Sequence, residues 1–329
     1  RKAVDSIDIK NRLYPTHRFS MHFSKGFCFY LEYNIRLLFF LLNQKCDILL
    51  ANDLDTLCAN YLVSRFKNIK LVYDSHELFT ELPELIDRPF IKFIWSSLES
   101  FLLRRIHYSY TVSDSISNYY KFKYDINMSV ISNFPLLRKH SSLSYKNKLI
   151  KKIIYQGAVN KDRGIDLMIQ AMLYVDAELH IVGDGDMLAD MKEYVNKLNL
   201  NNKVLFAGRI DFNNLFEITK QADLGLSFEK DTCLSYRYSL PNKIFDYIHA
   251  GIPVLVSDLP EFKNVINNYS VGMLLKSSDV RRVASQINDM LSLPKSHWSA
   301  GINIAKENFC WQNQEVKLLS FFSKNKPSL

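Results

Sequence analysis

The sequence predicts an α/β protein made of two parallel-sheet domains, and three features carry that prediction. From Lys45 onward short apolar runs alternate with longer stretches of helical period. A polar, aperiodic stretch at residues 133–149 then interrupts the alternation, and the same pattern restarts after it. Such alternation implies right-handed β-α-β units and a parallel sheet in each half. A chain of 329 residues is long enough for two domains, each with its own core.

In the first half, residues 46–51 (CDILLA), 69–73 (IKLVY), 108–113 (YSYTVS) and 128–131 (MSVI) read as strands, with helices at 54–67, 89–107 and 114–122. Four strands are fewer than a doubly wound domain usually carries. Since the chain also opens on Arg1 rather than Met, this half is expected to lack its first unit. The most apolar segment, residues 35–42 (IRLLFFLL), follows Glu32 and contains Arg36. It is far shorter than the ~20 residues that cross a bilayer, so a buried helix is expected, with peripheral membrane attachment left open.

The second half repeats the scheme with strands at 151–156 (KKIIYQ), 178–182 (ELHIV), 203–206 (KVLF), 223–227 (DLGLS), 253–256 (PVLV) and 271–275 (VGMLL). Ile165, Met168, Ile169 and Met172 fall on one helical stripe, as do Val280, Val283, Ala284 and Ile287, and both stripes read as core. An amphipathic helix closes the chain at residues 311–322. The expected domains are 1–140, 141–309 and a C-terminal segment, 310–329. Ligands of such sheets bind beyond the carboxyl ends of the strands, so a cleft between the two domains is the expected site.

A net charge of +8 and a pI near 9.0 favour an anionic partner, either a phosphorylated substrate or an acidic membrane surface. The Lys and Arg residues are dispersed with no basic run, which argues against nucleic acid. Five widely spaced cysteines without a C-x-x-C pair predict no zinc site, no disulfide frame and a reducing compartment.

Chemistry concentrates around residues 236–258 (YRYSLPNKIFDYIHAGIPVLVSD), which read as loop, helix and buried strand. Pro241 stands where a helix begins without losing a hydrogen bond, and Gly251 and Pro253 end it. Lys243 and Asp246, three apart, project from one side near the helix N-terminus. Positive partial charge and Lys243 there suit phosphate, and an ionised Asp246 suits a ribose diol. A second turn, residues 156–164 (QGAVNKDRG), follows a strand; Gly157 permits close backbone approach and Arg163 offers a fork for two phosphate oxygens. It is not G-x-G-x-x-G, which removes the main support for nicotinamide or flavin.

The segment PNKIFDYIHAGIPVLVSD resembles the donor-site segment of retaining glycosyltransferases of family 4. The turn at Gly157 resembles that family's phosphate loop, with Ala158 where many members carry arginine and Arg163 and Lys161 left as the cations. Residues 182–186 (VGDGD), with Gly183, resemble its V-G-D-G-P turn. Asp184 and Asp186 spell D-x-D, as do Asp53 and Asp55, yet no metal is expected; Asp186 is read as a helix N-cap. Many members have two glutamates eight positions apart; here Asp246 takes the second place and Tyr238 the first, leaving Glu229, by loop position, as the candidate donor contact. In the first half, residues 73–77 (YDSHE) match a turn in which the family commonly has a histidine, which makes His76 the candidate near the acceptor.

The resemblance implies the GT-B fold: two Rossmann-like doubly wound domains, acceptor-side first and donor domain second, with the last helix crossing back to the first. It implies hexosyl transfer from a UDP- or GDP-sugar to a glycan or lipid-linked acceptor, with retention, no metal or other cofactor, and a place in bacterial surface polysaccharide synthesis at the inner face of the membrane. The expected catalytic residues are His76, Arg163 and Lys243; Gly157, Gly183, Asp246 and Glu229 are expected to bind the nucleotide sugar. Alternatives of the same fold are a nucleotide-sugar epimerase and a non-catalytic partner subunit, the latter suggested by Ala158 and Tyr238.

Overall fold

The computed structural model describes residues 14–138 and 150–324, which pack as two units. Of these, residues 14–112 and 116–130 form the first unit and the remainder the second. The boundary expected between residues 140 and 141 lies outside the described residues.

The first unit runs α1 (Gly26–Leu42), β1 (Ile48–Asn52), α2 (Leu54–Lys67), β2 (Lys70–Ser75), α3 (Pro83–Ile86), α4 (Pro89–Leu103), β3 (Tyr108–Thr111), α5 (Asp114–Tyr124) and β4 (Ser129–Val130). Its strands pair in parallel in the order β1-β2-β3-β4, so every crossover steps the same way across the sheet. Inner strand β2 is buried along nearly its whole length, as both faces are covered, whereas edge strand β1 alternates and leaves Leu50 exposed. Register aligns Asn52 with Asp74 and Ser75 with Thr111, which gathers the turns after β1 and β2 at one end.

The apolar segment at 35–42 differs from expectation. It belongs to α1, none of whose residues is buried, and Ile35 and Phe39 are 46% and 62% exposed. One side of α1 is fastened to α2, where the Asn34 amide donates to Asp55 O at 2.8 Å and accepts from Ala59 N at 3.2 Å. Phe27, Leu31, Ile35 and Phe39 follow at i+4 steps on the uncovered side.

The second unit runs β5 (Lys151–Gln156), α6 (Ile165–Ala171), β6 (Ala177–Val182), α7 (Leu188–Lys197), β7 (Val204–Gly208), α8 (Phe212–Thr219), β8 (Leu224–Ser227), α9 (Leu234–Arg237), α10 (Asn242–Ala250), β9 (Val254–Val256), α11 (Pro260–Tyr269), β10 (Gly272–Leu274), α12 (Val280–Ser292), α13 (Ser296–Asn308) and α14 (Trp311–Lys324). The parallel sheet has the order β10-β9-β8-β5-β6-β7. From β5 the chain steps outward through β6 to β7, returns to β8 and then steps the other way. Right-handed crossovers therefore put α6 and α7 on one face and α8, α10 and α11 on the other. The direction reverses between β5 and β8, and a crevice opens at such a switch point beyond the strand carboxyl ends.

The first expected stripe is core, with Ile165, Met168, Ile169 and Met172 all buried; in the second, Val283, Ala284 and Ile287 are buried and Val280, at the start of α12, is only partly covered. Gly251 ends α10 in the left-handed region, with φ of 80°. Asp186 is not an N-cap. Met187 holds that place without a side-chain cap bond, and Asp186 N instead donates to Asn160 Oδ1 at 3.2 Å, which ties the turn after β6 to the turn after β5. Helix α14 groups with the second unit, where Trp311 N donates to Pro135 O at 2.8 Å and Gln314 accepts from Ser132 N at 3.1 Å.

Candidate functional site

At the switch point of the second unit the turns after β5 and β8 and the start of α10 bring three charges together. Lys243 Nζ lies 2.7 Å from Glu229 Oε1, and Arg163 Nη1 lies 3.5 Å from the same oxygen. The Glu229 side chain is fully buried and that of Lys243 is 8% exposed, while Arg163 keeps 24%. The other Glu229 oxygen accepts from Ser227 Oγ at 2.6 Å, so both oxygens bond protein groups. Burial alone would raise the Glu229 pKa; Lys243, then Arg163, outweigh it and hold the carboxyl below its ordinary value. The Arg163 Nε is buried without a hydrogen-bond partner, an arrangement that suits an added anion.

Aromatic rings hold both cations from behind. Lys243 Nζ sits 4.3 Å from the Tyr155 ring centre and the Arg163 guanidinium 4.6 Å from that of Tyr236. Tyr155 also donates to Ala158 O at 2.7 Å, which fixes the phosphate-type turn. Two glycines make the close approaches possible. A Cβ on Gly164, at φ +68°, would lie 2.2 Å from Phe228 O, and one on Gly183, at φ +144°, would lie 1.8 Å from Gly157 O. Gly157 itself faces Lys243, whose Cε is 3.4 Å from where a Cβ would stand. Lys161, read as a second cation of this turn, is exposed. Asp184 pairs with Arg209 at 3.2 Å.

One helical turn past Lys243, Asp246 reaches the neighbouring residue of β5. Its Oδ2 accepts from Gln156 Nε2 at 2.7 Å, and Gln156 Oε1 accepts from Thr219 Oγ1 at 2.8 Å. These groups line a cavity of about 260 Å³ between α8 and α10, together with Phe216, His249 and Trp311. Burial pushes the Asp246 carboxyl up to about 6 against the opposing effects of Gln156 and Arg138. Lys243 and Asp246 thus address adjacent positions, 157 and 156, at the carboxyl end of one strand.

The first unit presents its own cluster beyond β1 and β2. The His76 ring Nε2 lies 3.0 Å from Asp74 Oδ2, which also accepts from Tyr110 OH at 2.9 Å. His76 N donates to Asp53 Oδ1 at 2.8 Å, and Asp53 adopts φ +58° with ψ 170°, a positive-φ conformation unusual outside glycine. The hydrogen bond that the His76 ring donates to Asp74 raises the His76 pKa against burial.

The family model for glycosyl transferases group 1 matches residues 140–307. The chain belongs to this family. An uncharacterized glycosyltransferase of Methanocaldococcus jannaschii is 22% identical over 281 residues, which cover 79% of this chain and 69% of that one. N-acetyl-alpha-D-glucosaminyl L-malate synthase of Bacillus anthracis is 26% identical over 188 residues, 56% of this chain and 46% of that one, so the chain spans less than half of that relative. Among solved structures, Anabaena HepE in complex with UDP and glucose superposes with a TM-score of 0.71 at 16% identity, covering 88% of this chain and 81% of that one. The expected α/β class with two parallel sheets is the fold this group 1 glycosyltransferase has, and its structural neighbours are GT-B glycosyltransferases.

Within the second unit the structure brings Gly157, Arg163, Glu229 and Lys243 into one cluster, with Gly183 behind it and Asp246 beside it. His76 belongs to the separate cluster of the first unit. Sequence reasoning placed Glu229 in the donor-side loop without its partners; its carboxylate is buried beside the two cations. Gln156 was read only as the first residue of the turn, with no role toward Asp246, and Thr219 was missed. A polar residue at the end of an apolar strand was the available signal.

Proposed function

We propose that this group 1 glycosyltransferase transfers a hexosyl group from a UDP- or GDP-sugar, without a metal ion, to a glycan or lipid-linked acceptor and with retention at the anomeric carbon. The observation that carries the reading is the pair of aromatic-backed cations, Arg163 and Lys243, beside the open backbone at Gly157. Departure of a nucleoside diphosphate leaves negative charge on the leaving oxygen, and prepositioned cations stabilise it more in the transition state than in the bound donor. In this reading the diphosphate lies against Gly157, the ribose diol donates to an ionised Asp246, and Gln156 orients that carboxylate. Gly183 keeps the neighbouring turn close enough to support the loop. His76, held by Asp74 and Asp53, is the group proposed to meet the acceptor hydroxyl or the transferred sugar.

A lipid-linked acceptor suits the exposed apolar face of the first unit. Phe27, Leu31 and Phe39 of α1 and Phe90, Phe93 and Ile94 of α4 are exposed, and Tyr30 packs on Trp95 at 5.2 Å to join the two helices. The chain as a whole carries a net charge of +8, and in this reading the apolar face attaches shallowly to an anionic bilayer at the cytoplasmic side, in surface polysaccharide synthesis. No helix among the described residues is long and apolar enough to cross a membrane. The test is a screen of UDP- and GDP-sugars, read as nucleotide release with and without acceptor and with and without a chelator. Release that needs acceptor and survives chelation supports the reading. A rearranged sugar from donor alone marks an epimerase instead, and complete loss with chelator refutes the metal-free step.

A further inference from the structure

We propose that Glu229 is a built-in counter-ion that competes with the donor's diphosphate for Lys243 and Arg163, keeping both cations placed in the empty site and easing departure of the nucleoside diphosphate after transfer. The inference rests on the proposed donor reading for the identity of the anion. Its evidence is the cluster itself. Glu229 is buried, its Oε1 receives Lys243 at 2.7 Å and faces Arg163 at 3.5 Å, and its Oε2 is anchored by Ser227 Oγ at 2.6 Å. A carboxylate so committed to protein groups is not presented to a sugar. It holds the positions on the two cations that phosphate oxygens would otherwise take.

Two cations brought together without a counter-charge would repel each other and lose hydration, so the empty site needs an anion to stay assembled. The same anion remains when the ligand arrives, because Ser227 keeps it on the strand side, and it then repels the diphosphate across a few ångströms of poorly screened space. Glu229 is therefore a positioning residue that lowers affinity for the diphosphate while preserving the geometry of its binding groups. The functional gain is turnover: a nucleoside diphosphate gripped by two unopposed cations leaves slowly, and product release often limits kcat.

Glu229→Gln keeps the shape and the acceptor oxygen for Lys243 and removes the charge. Calorimetry with inorganic pyrophosphate, UDP and GDP on the wild-type chain and the variant reads the effect directly. The expected result is a dissociation constant for pyrophosphate, and for whichever nucleotide binds, at least about tenfold lower in the variant. With turning-over donor, kcat is expected to fall while the donor KM falls with it, a split that a merely structural residue would not give. Ser227→Ala, which loosens the carboxylate without altering charge, is expected to shift the same constants the same way by a smaller factor, and it serves where the first variant does not fold. Unchanged or weaker pyrophosphate binding by folded variants overturns the counter-ion role. Tighter pyrophosphate binding with no response to any nucleotide or nucleotide sugar upholds that role and sinks the donor reading instead.

Discussion

Replacing Lys243 by Ala is expected to harm this protein in two separable ways, and the separation tests the site's electrostatics. At 2.7 Å, the Lys243–Glu229 attraction is about 6 kcal/mol at an effective dielectric near 20, before the cost of desolvating either group. Removing the cation leaves Glu229 fully buried, with the Arg163 charge at 3.5 Å and the Ser227 hydrogen bond at 2.6 Å to offset it. Stripping one partner from a buried pair costs about 3–5 kcal/mol, and the surviving arginine places the expected loss near the lower end, about 3 kcal/mol. Urea denaturation followed by far-ultraviolet circular dichroism measures it as a lowered midpoint. In the double variant K243A/E229Q the buried carboxylate is gone and Arg163, which keeps 24% of its side chain exposed, is the charge left in the cluster, so about 2 kcal/mol of that loss is expected to return. Donor turnover, by contrast, is expected to stay low in both, since the second substitution restores no cation. A K243A protein with the wild-type midpoint, or a double variant no more stable than the single, would refute the reasoning.

Arg163→Ala removes the other cation, and kcat/KM for the donor is expected to fall by about 2–4 kcal/mol of transition-state stabilisation; wild-type turnover would take Arg163 out of the mechanism. Asp246, with its carboxyl pushed to about 6, must be ionised to accept from a ribose diol, so donor affinity is expected to fall as pH drops through 6, a midpoint that Asp246→Asn abolishes. The stability linkage runs the other way: a carboxyl raised from 3.8 contributes fully below that value and loses its contribution as pH rises through about 6. For His76, raised by Asp74, the folding contribution is present at low pH and lost as pH climbs through the folded-state midpoint; Asp74→Asn is expected to move that midpoint down in a proton NMR titration, and an unmoved His76 resonance would deny the pairing. Gly183→Ala places a methyl 1.8 Å from Gly157 O and forces the two turns apart, at a cost of about 1–3 kcal/mol in thermal unfolding together with weakened UDP or GDP binding.

What the sequence revealed and what it concealed divide along a physical line. Strands such as β5 and helices such as α2 and α10 were legible to within a residue or two because burial on both faces, or on one stripe, imposes a short-range pattern. The glycines and cations at 157, 163 and 243 were legible for a related reason: a turn that follows a buried strand needs particular residue types within a few positions. Long-range pairing has no such trace. Nothing local tells Glu229, two residues past β8, that it meets Lys243 fourteen positions on and Arg163 sixty-six positions back, because that meeting depends on β5 and β8 being neighbours across the switch point. The same absence of local information misled the reading of α1, whose run of apolar residues resembles a buried helix; among the described residues α2, Trp95 of α4 and the rings of His17 and Phe19 pack against it, and none of its residues is buried. Residues whose role is set by strand order are thus the ones a linear reading loses, and in this protein Glu229, which governs the charge of the candidate site, is among them.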